Sequence, residues 1–173
     1  MKNNRKVPIT RVNKFFSQED FNLEVDFGRE WLEGDINIKV VLFQVDQSKS
    51  LTDDIYGESA PNEIRFKTPV ELTVNFQMES PKNEAWNPNG SLRHLEHGNL
   101  TLGVYQSHLD ELGVEINYGD YIGYHETEDK MTYWTVSNNG IITSDNAHTI
   151  AGYKGFYRTV TCVPTPEDEF NGI

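Results

Sequence analysis

Between residues 70 and 78 the chain reads VELTVNFQM, with Val70, Leu72, Val74, Phe76 and Met78 on alternate positions and polar residues between them. Successive side chains point to opposite sides only in an extended strand, so this period of two specifies a strand with one apolar and one polar face. A strand of that kind is not stable alone. Its apolar face must be covered by a second sheet or by the same sheet curling onto itself. The rest of the chain supplies partners of the same kind. An apolar block, Val40 to Phe43, sits in a strand expected from about Ile36 to Val45 after a turn at Glu33-Gly34-Asp35, and a block reads as burial on both faces of a central strand. "YGDYIGYH" and "MTYWTVSN" read as two strands joined by the acidic turn "ETEDK", and Asn138-Asn139-Gly140 is a tight-turn signal before "IITS". "YKGFYRTVTCVP" reads as a last strand. Helical signal is confined to "QSHLDELGV", one or two turns with Gly113 as the stop.

About five to seven strands with minimal helix predict an all-β fold, a single β-barrel or β-sandwich domain carrying long interaction loops. The 173 residues suffice for one such core. They divide into a basic arm at 1–14, a β-rich domain at 15–164 and an acidic tail at 165–173.

The formal charge is −12, with 27 acidic and 15 basic side chains. That field repels phosphates, which argues against sequence-reading of nucleic acid as the main task. It suits either an ordinary solvated surface or a wall past which DNA slides without adhering. The arm reverses the sign: Lys2, Arg5, Lys6, Arg11 and Lys14 occur there with no acidic residue. Such an arm fits the acidic surface of a neighbouring copy or partner, or a free tail. A single cysteine, Cys162, permits no internal disulfide and reads as a small apolar strand residue. No apolar run approaches the ~18 residues of a membrane span, and the first residues lack the apolar run of a secretory signal. A cytoplasmic site of synthesis and no membrane partner are therefore expected.

Sites for chemistry are weak. "RHLEHGN" places His94, Glu96 and His97 in one short loop, but an HxxH without a third ligand at a known spacing is a poor metal signature. The carboxylate groups Asp53-Asp54, Glu126-Glu128-Asp129 and Glu167-Asp168-Glu169 fall in turns or the tail. Neither a G-x-S-x-G elbow nor a glycine-rich phosphate loop occurs, so no enzyme activity, metal or cofactor is expected. Aromatic residues are more suggestive. Trp86 lies in a loop rich in Pro and Asn, and Tyr105, Tyr118, Tyr121, Tyr124, Tyr133 and Trp134 gather around the later strands. They read as core, as protein-interface anchors, or as a carbohydrate-stacking face built from Trp86, Tyr105, Tyr124 and Trp134.

"TDDIYGES", then "IRFKTPVELTVNFQME", then "INYGDYIGYHETEDKMTYWTVSN" together resemble the neck (head-to-tail connector) proteins of tailed bacteriophages. The matching positions are Asp53, Asp54, Ile55, Tyr56, Gly57 and Glu58, followed by Gly119, Asp120, Tyr121, Ile122 and Tyr133 to Val136, over about half of the chain. The resemblance implies a structural virion protein made in the host cytoplasm. It implies a homo-oligomeric ring, sixfold or twelvefold, between portal-side connector and tail proteins, with DNA passing through the lumen. A closed ring repeats one heterologous interface, so each subunit needs a projecting element and a receiving surface. The residues expected at that seam are Arg5 and Arg11 of the arm, Asp53, Asp54, Tyr56, Gly57 and Glu58 of the acidic turn, and Trp86. Tyr56 would fill a neighbour's pocket, Gly57 would allow a positive φ beside it, and the three acids would meet bases across the seam. A plain hairpin connection with solvated acids is the other reading of the turn.

Overall fold

The structure is a computed structural model, and it describes residues 17–50, 64–80, 83–85, 92–94, 98–141, 149–150, 153–154 and 156–165. The order of elements is α1 (Gln18–Trp31), a π-helical turn (Leu32–Ile36), β1 (Ile38–Phe43), β2 (Val70–Met78), β3 (Asn83–Ala85), β4 (Leu92–His94), β5 (Leu100–Tyr105), α2 (Gln106–Leu112), β6 (Tyr121–His125), β7 (Met131–Asn138), β8 (Thr149–Ile150), β9 (Tyr153–Lys154) and β10 (Tyr157–Pro164). Six strands close into one antiparallel barrel in the order β1, β2, β5, β10, β7, β6, with β6 returning to β1. β3 with β4, and β8 with β9, form separate two-stranded ribbons.

The alternation in β2 has its predicted consequence. Leu72 and Val74 point inward with Val40 and Leu42 of β1, Leu100, Leu102 and Val104 of β5, Ile122 of β6, Trp134 and Val136 of β7, and Val160 and Cys162 of β10, all essentially without exposure. Leu109 of α2 and Ile116 join this cluster. The barrel is therefore a packed core and not a pore. The indole N–H of Trp134 donates to the Gly98 carbonyl at 3.1 Å, which satisfies its buried polar atom.

The apolar block of β1 has a second cause. Val40 and Leu42 face inward, while Phe43 is buried on the outside against Tyr121, with Val41, Val45, Phe66, Met131 and Tyr133 packed around them. Phe43 meets Phe66 and Tyr133 edge-on at 6.1 and 5.9 Å, and Phe66 meets Tyr121 at 5.7 Å. Both edges of β1 are paired, to β2 and to β6.

Three strands are tied by one tyrosine. Gly103 of β5 has no side chain, and the Tyr157 ring from β10 crosses over it, so that a Cβ at Gly103 would overlap the ring. The Tyr157 hydroxyl then bonds Asn75 of β2. Among the described residues a register shift falls between Thr161 and Cys162 of β10, where β7 carries the extra residue. Ser137, at that bulge, donates its hydroxyl to the Thr161 carbonyl at 3.0 Å.

The fourteen-residue helix α1 was not expected from the sequence, where the only structure read in this region was a turn at 33–35. It starts at a capping box: the Ser17 hydroxyl accepts from the Asp20 backbone N–H, and the Asp20 carboxylate accepts from the Ser17 backbone N–H at 2.8 Å. It ends in the π-helical turn, and Asn37, left-handed at φ 46°, breaks the helix ahead of β1. The second helix matches its expectation, running from Gln106 to Leu112 with Gly113 left-handed at φ 67° as its stop.

Candidate interaction surface

The described residues on either side of 51–63, the segment that contains the acidic motif, are held together. Beyond Phe43 the chain continues as a short ladder against 65–67: Val45 bridges Phe66, the Asp46 N–H donates to the Arg65 carbonyl at 2.7 Å, and the Lys67 N–H donates to the Gln44 carbonyl at 2.9 Å. The Ser50 hydroxyl donates to the Asp46 carbonyl at 2.9 Å and accepts from the Arg65 N–H at 3.0 Å, locking the stem where the chain departs. Asp46 turns the chain by accepting from the Ser48 hydroxyl at 2.6 Å and the Ser48 N–H at 3.1 Å. Those bonds, the hydroxyl first, hold its carboxyl below the usual range. The stem sits on the outer aromatic cluster, because Phe66 belongs to both.

Asp120, in the Gly-Asp turn of the resemblance, fixes the same corner from the other side. Its carboxylate accepts the Val45 N–H at 2.9 Å and the Asn117 N–H at 2.8 Å, joining the end of β1 to the start of β6. It is almost fully buried, and burial pushes its carboxyl up despite those donors. Asp120 is thus a staple between the β1 end of the stem and the entry to β6.

Asp53, Asp54, Tyr56, Gly57 and Glu58 themselves lie outside the described residues, as do Arg5, Arg11 and Trp86. The metal reading is placed similarly: His94 belongs to the backbone of β4, while Glu96 and His97 lie outside the described residues. Among the described residues no group of three metal-ligating side chains occurs. The described members of the carbohydrate face do not come together as a platform. Trp134 is inside the barrel with no exposed face, Tyr124 packs on Phe76 at 4.6 Å, and Tyr105 is engaged with Tyr157 at 5.1 Å on the side where α1 lies. Alternation along β7 already assigned Trp134 to the same face as Thr132 and Val136, so the sequence held the signal for its burial.

A surface that sequence reasoning missed lies on α1. At about 100° per residue, Phe21, Val25, Gly28 and Leu32 fall on one side of the helix and Leu23, Phe27 and Trp31 on the other. The first set packs on the barrel. Val25 and Leu32 are buried, Phe21 meets Phe156 edge-on at 6.1 Å, and Gly28 lets Tyr105 approach the helix backbone so closely that a Cβ would overlap its hydroxyl and lie 3.0 Å from Cζ. Arg29 adds a polar clamp. Its guanidinium takes both oxygens of Glu111 on α2, at 2.6 and 2.9 Å, and Oε1 of Glu33 at 2.8 Å. The bond to Arg29 holds the Glu111 carboxyl below its usual range and raises the already high arginine value. With its inner side fixed in this way, α1 presents Leu23 at 69%, Phe27 at 71% and Trp31 at 52% exposure.

These three side chains run for roughly 12 Å along the helix and expose on the order of 400 Å². Contiguous apolar patches of that size on soluble domains commonly mark interaction sites. Exposed acids border the stripe, with Glu19, Asp26 and Glu30 along one margin and Glu24 along the other. Asp26, Arg29, Glu30, Glu33 and Gly34 line an open, charged hollow beside the stripe, while the stripe itself offers apolar contact area along a helix face, the chemistry of a protein interface.

No protein-family model matches the chain, and no curated protein matches it.

Proposed function

We propose that this protein is a non-enzymatic structural subunit that assembles with copies of itself into a ring, and that the ring is part of the neck of a tailed bacteriophage. The observation that carries the self-assembly reading is the Leu23, Phe27 and Trp31 stripe, held outward by a helix whose opposite side packs on Tyr105 of the barrel and is clamped to α2. The closed barrel has no free edge strand, so its six strands cannot be extended by strand addition and contacts made by the barrel body use side-chain surfaces. The stripe and the hydrogen-bonded stem formed by 44–50 and 65–67 are two such elements. The barrel interior is filled, so a channel for DNA would be formed between subunits by ring closure. A charge of −12 would keep DNA from adhering to the wall of that channel. The assignment to a phage neck comes from the resemblance through Asp53 to Glu58, Gly119 to Ile122 and Tyr133 to Val136. It implies sixfold or twelvefold order with portal-side connector and tail proteins on either face.

The test is particle imaging of the purified protein over a range of concentrations, with antibody labelling of intact phage particles. Closed rings with an open centre and label at the junction of head and tail are expected. A monomer at every concentration together with unlabelled junctions would overturn the proposal.

A further inference from the structure

We infer that the outer face of α1 is the receiving half of the subunit seam, and that its occupant is the basic N-terminal segment, residues 1–16, of the neighbouring copy. This rests on the self-assembly part of the reading above and names the contact that performs it.

The face has two properties that its occupant must match. It is apolar along Leu23, Phe27 and Trp31, and it is acidic on both margins through Glu19, Glu24, Asp26 and Glu30. Arg29, the one basic residue of α1, is turned away from it and committed to Glu33 and Glu111. Phosphate-bearing occupants, whether nucleic acid or an anionic membrane surface, are disfavoured by those acids. The occupant is therefore a protein segment that interleaves cations with apolar side chains. The chain contains one stretch of that composition with no acid to oppose it: KNNRKVPITRVNKFF, residues 2–16, with Arg5, Lys6, Arg11 and Lys14 set among Val7, Ile9, Val12, Phe15 and Phe16. Opposite charges around an apolar centre give both register and attraction.

In the ring reading the arm that seats on α1 is the neighbour's, and the capping box, with the Ser17 backbone N–H and hydroxyl both held by Asp20, fixes the point from which each arm departs. A segment that projects from one subunit and seats on the helix of the next is a heterologous contact, the kind that generates closed rings.

Two full-length variants test this. In one, Arg5→Glu and Arg11→Glu reverse the arm; in the other, Glu24→Lys and Glu30→Lys reverse the margins of the helix. Both substituted sites on α1 are exposed, so the barrel should fold as before, and denaturation midpoints check that it does. Sedimentation velocity is the readout. Each variant alone should associate at least tenfold more weakly than the wild type, and an equimolar mixture should recover association, because the acidic arm of one then meets the basic helix of the other. Variants that associate like the wild type would overturn the seam and leave ring formation standing. Variants that stay monomeric even when mixed would overturn it in favour of an arm seated on its own helix. A wild type that is monomeric throughout would remove the self-assembly reading and this inference with it.

Discussion

Substituting Gly28 by alanine measures whether α1 is seated on the barrel as described. In an unpacked helix this change stabilises by about 1 kcal/mol, because glycine is the more flexible residue in the unfolded chain and the poorer helix former. Here the added methyl would overlap the Tyr105 hydroxyl and stand 3.0 Å from Cζ, where ordinary contact begins at 3.4 Å. Either the helix lifts or Tyr105 turns away from Phe156 and Tyr157, its ring neighbours at 6.4 and 5.1 Å. Overpacking of this kind costs about 1–3 kcal/mol, so the net expectation is a loss of up to about 2 kcal/mol where a free helix would gain about 1. A Tyr105→Phe background removes the overlapping oxygen and leaves only a gap of a few tenths of an ångström to absorb. In that background Gly28→Ala should be close to neutral, a coupling of about 1 kcal/mol or more between the two sites. Urea denaturation of the four proteins of the cycle is the assay, with midpoints and slopes compared. A Gly28→Ala protein stabilised by about 1 kcal/mol in both backgrounds would refute the packing of α1 and, with it, the argument that its other side is held outward.

Other consequences are more direct. Asp120→Asn can accept only one of the two N–H groups from Val45 and Asn117, so it should cost about 1–3 kcal/mol in the same assay, while an unchanged midpoint would remove its role as a staple. Carboxyl titration followed by NMR should find Asp120 raised from 3.8 and Glu111 lowered from 4.5; a shift of either group in the opposite direction would contradict its environment. The signs on stability are opposite. Glu111, depressed when folded, contributes fully above its unfolded value and loses that contribution as pH falls through its folded value. Asp120, raised when folded, favours the fold most below its unfolded value, and that contribution is lost as pH rises through its folded value. Burial pushes the Cys162 thiol up to about 12, so a thiol reagent at neutral pH should leave the native protein unmodified and react only on unfolding; rapid native labelling would show that the interior of the barrel opens.

The parts of the fold legible in the sequence are those set by local alternation. β2 begins and ends where the period of two does, at Val70 and Met78, and β6, β7 and the stop of α2 at Gly113 follow equally local signals. The expected strand at 36–45 is shorter, because Ile36 belongs to the π-helical turn, Asn37 is left-handed, and Gln44 leaves the barrel for the stem. Whether the sheet closes as a barrel or stacks as a sandwich depends on the pairing of β1 with β6, whose partners lie about eighty residues apart, and no local pattern encodes that. The helix α1 was hidden for a physical reason. It carries apolar residues on two sides, one for the barrel and one for solvent, so its inner period of Phe21, Val25, Gly28 and Leu32 is overlaid by Leu23, Phe27 and Trp31. Gly28 in its interior is a poor helix former, yet that glycine is what allows Tyr105 to pack. The capping box Ser17-x-x-Asp20 was the available signal. Of the candidate site, the sequence marked the acidic turn and the arm, while the stem that holds the one and the helix face proposed to receive the other required the fold.

Self-association through the outer face of α1 is tested most directly by sedimentation velocity of the wild type beside Phe27→Glu across a wide range of concentration. Phe27 is 71% exposed, so the substitution should leave the unfolding free energy within about 0.5 kcal/mol of the wild type. The wild type should shift to a larger, closed species as concentration rises, and Phe27→Glu should stay monomeric at the concentrations where the wild type has assembled. Indistinguishable sedimentation of the two proteins, whether both assemble or neither does, would contradict the account.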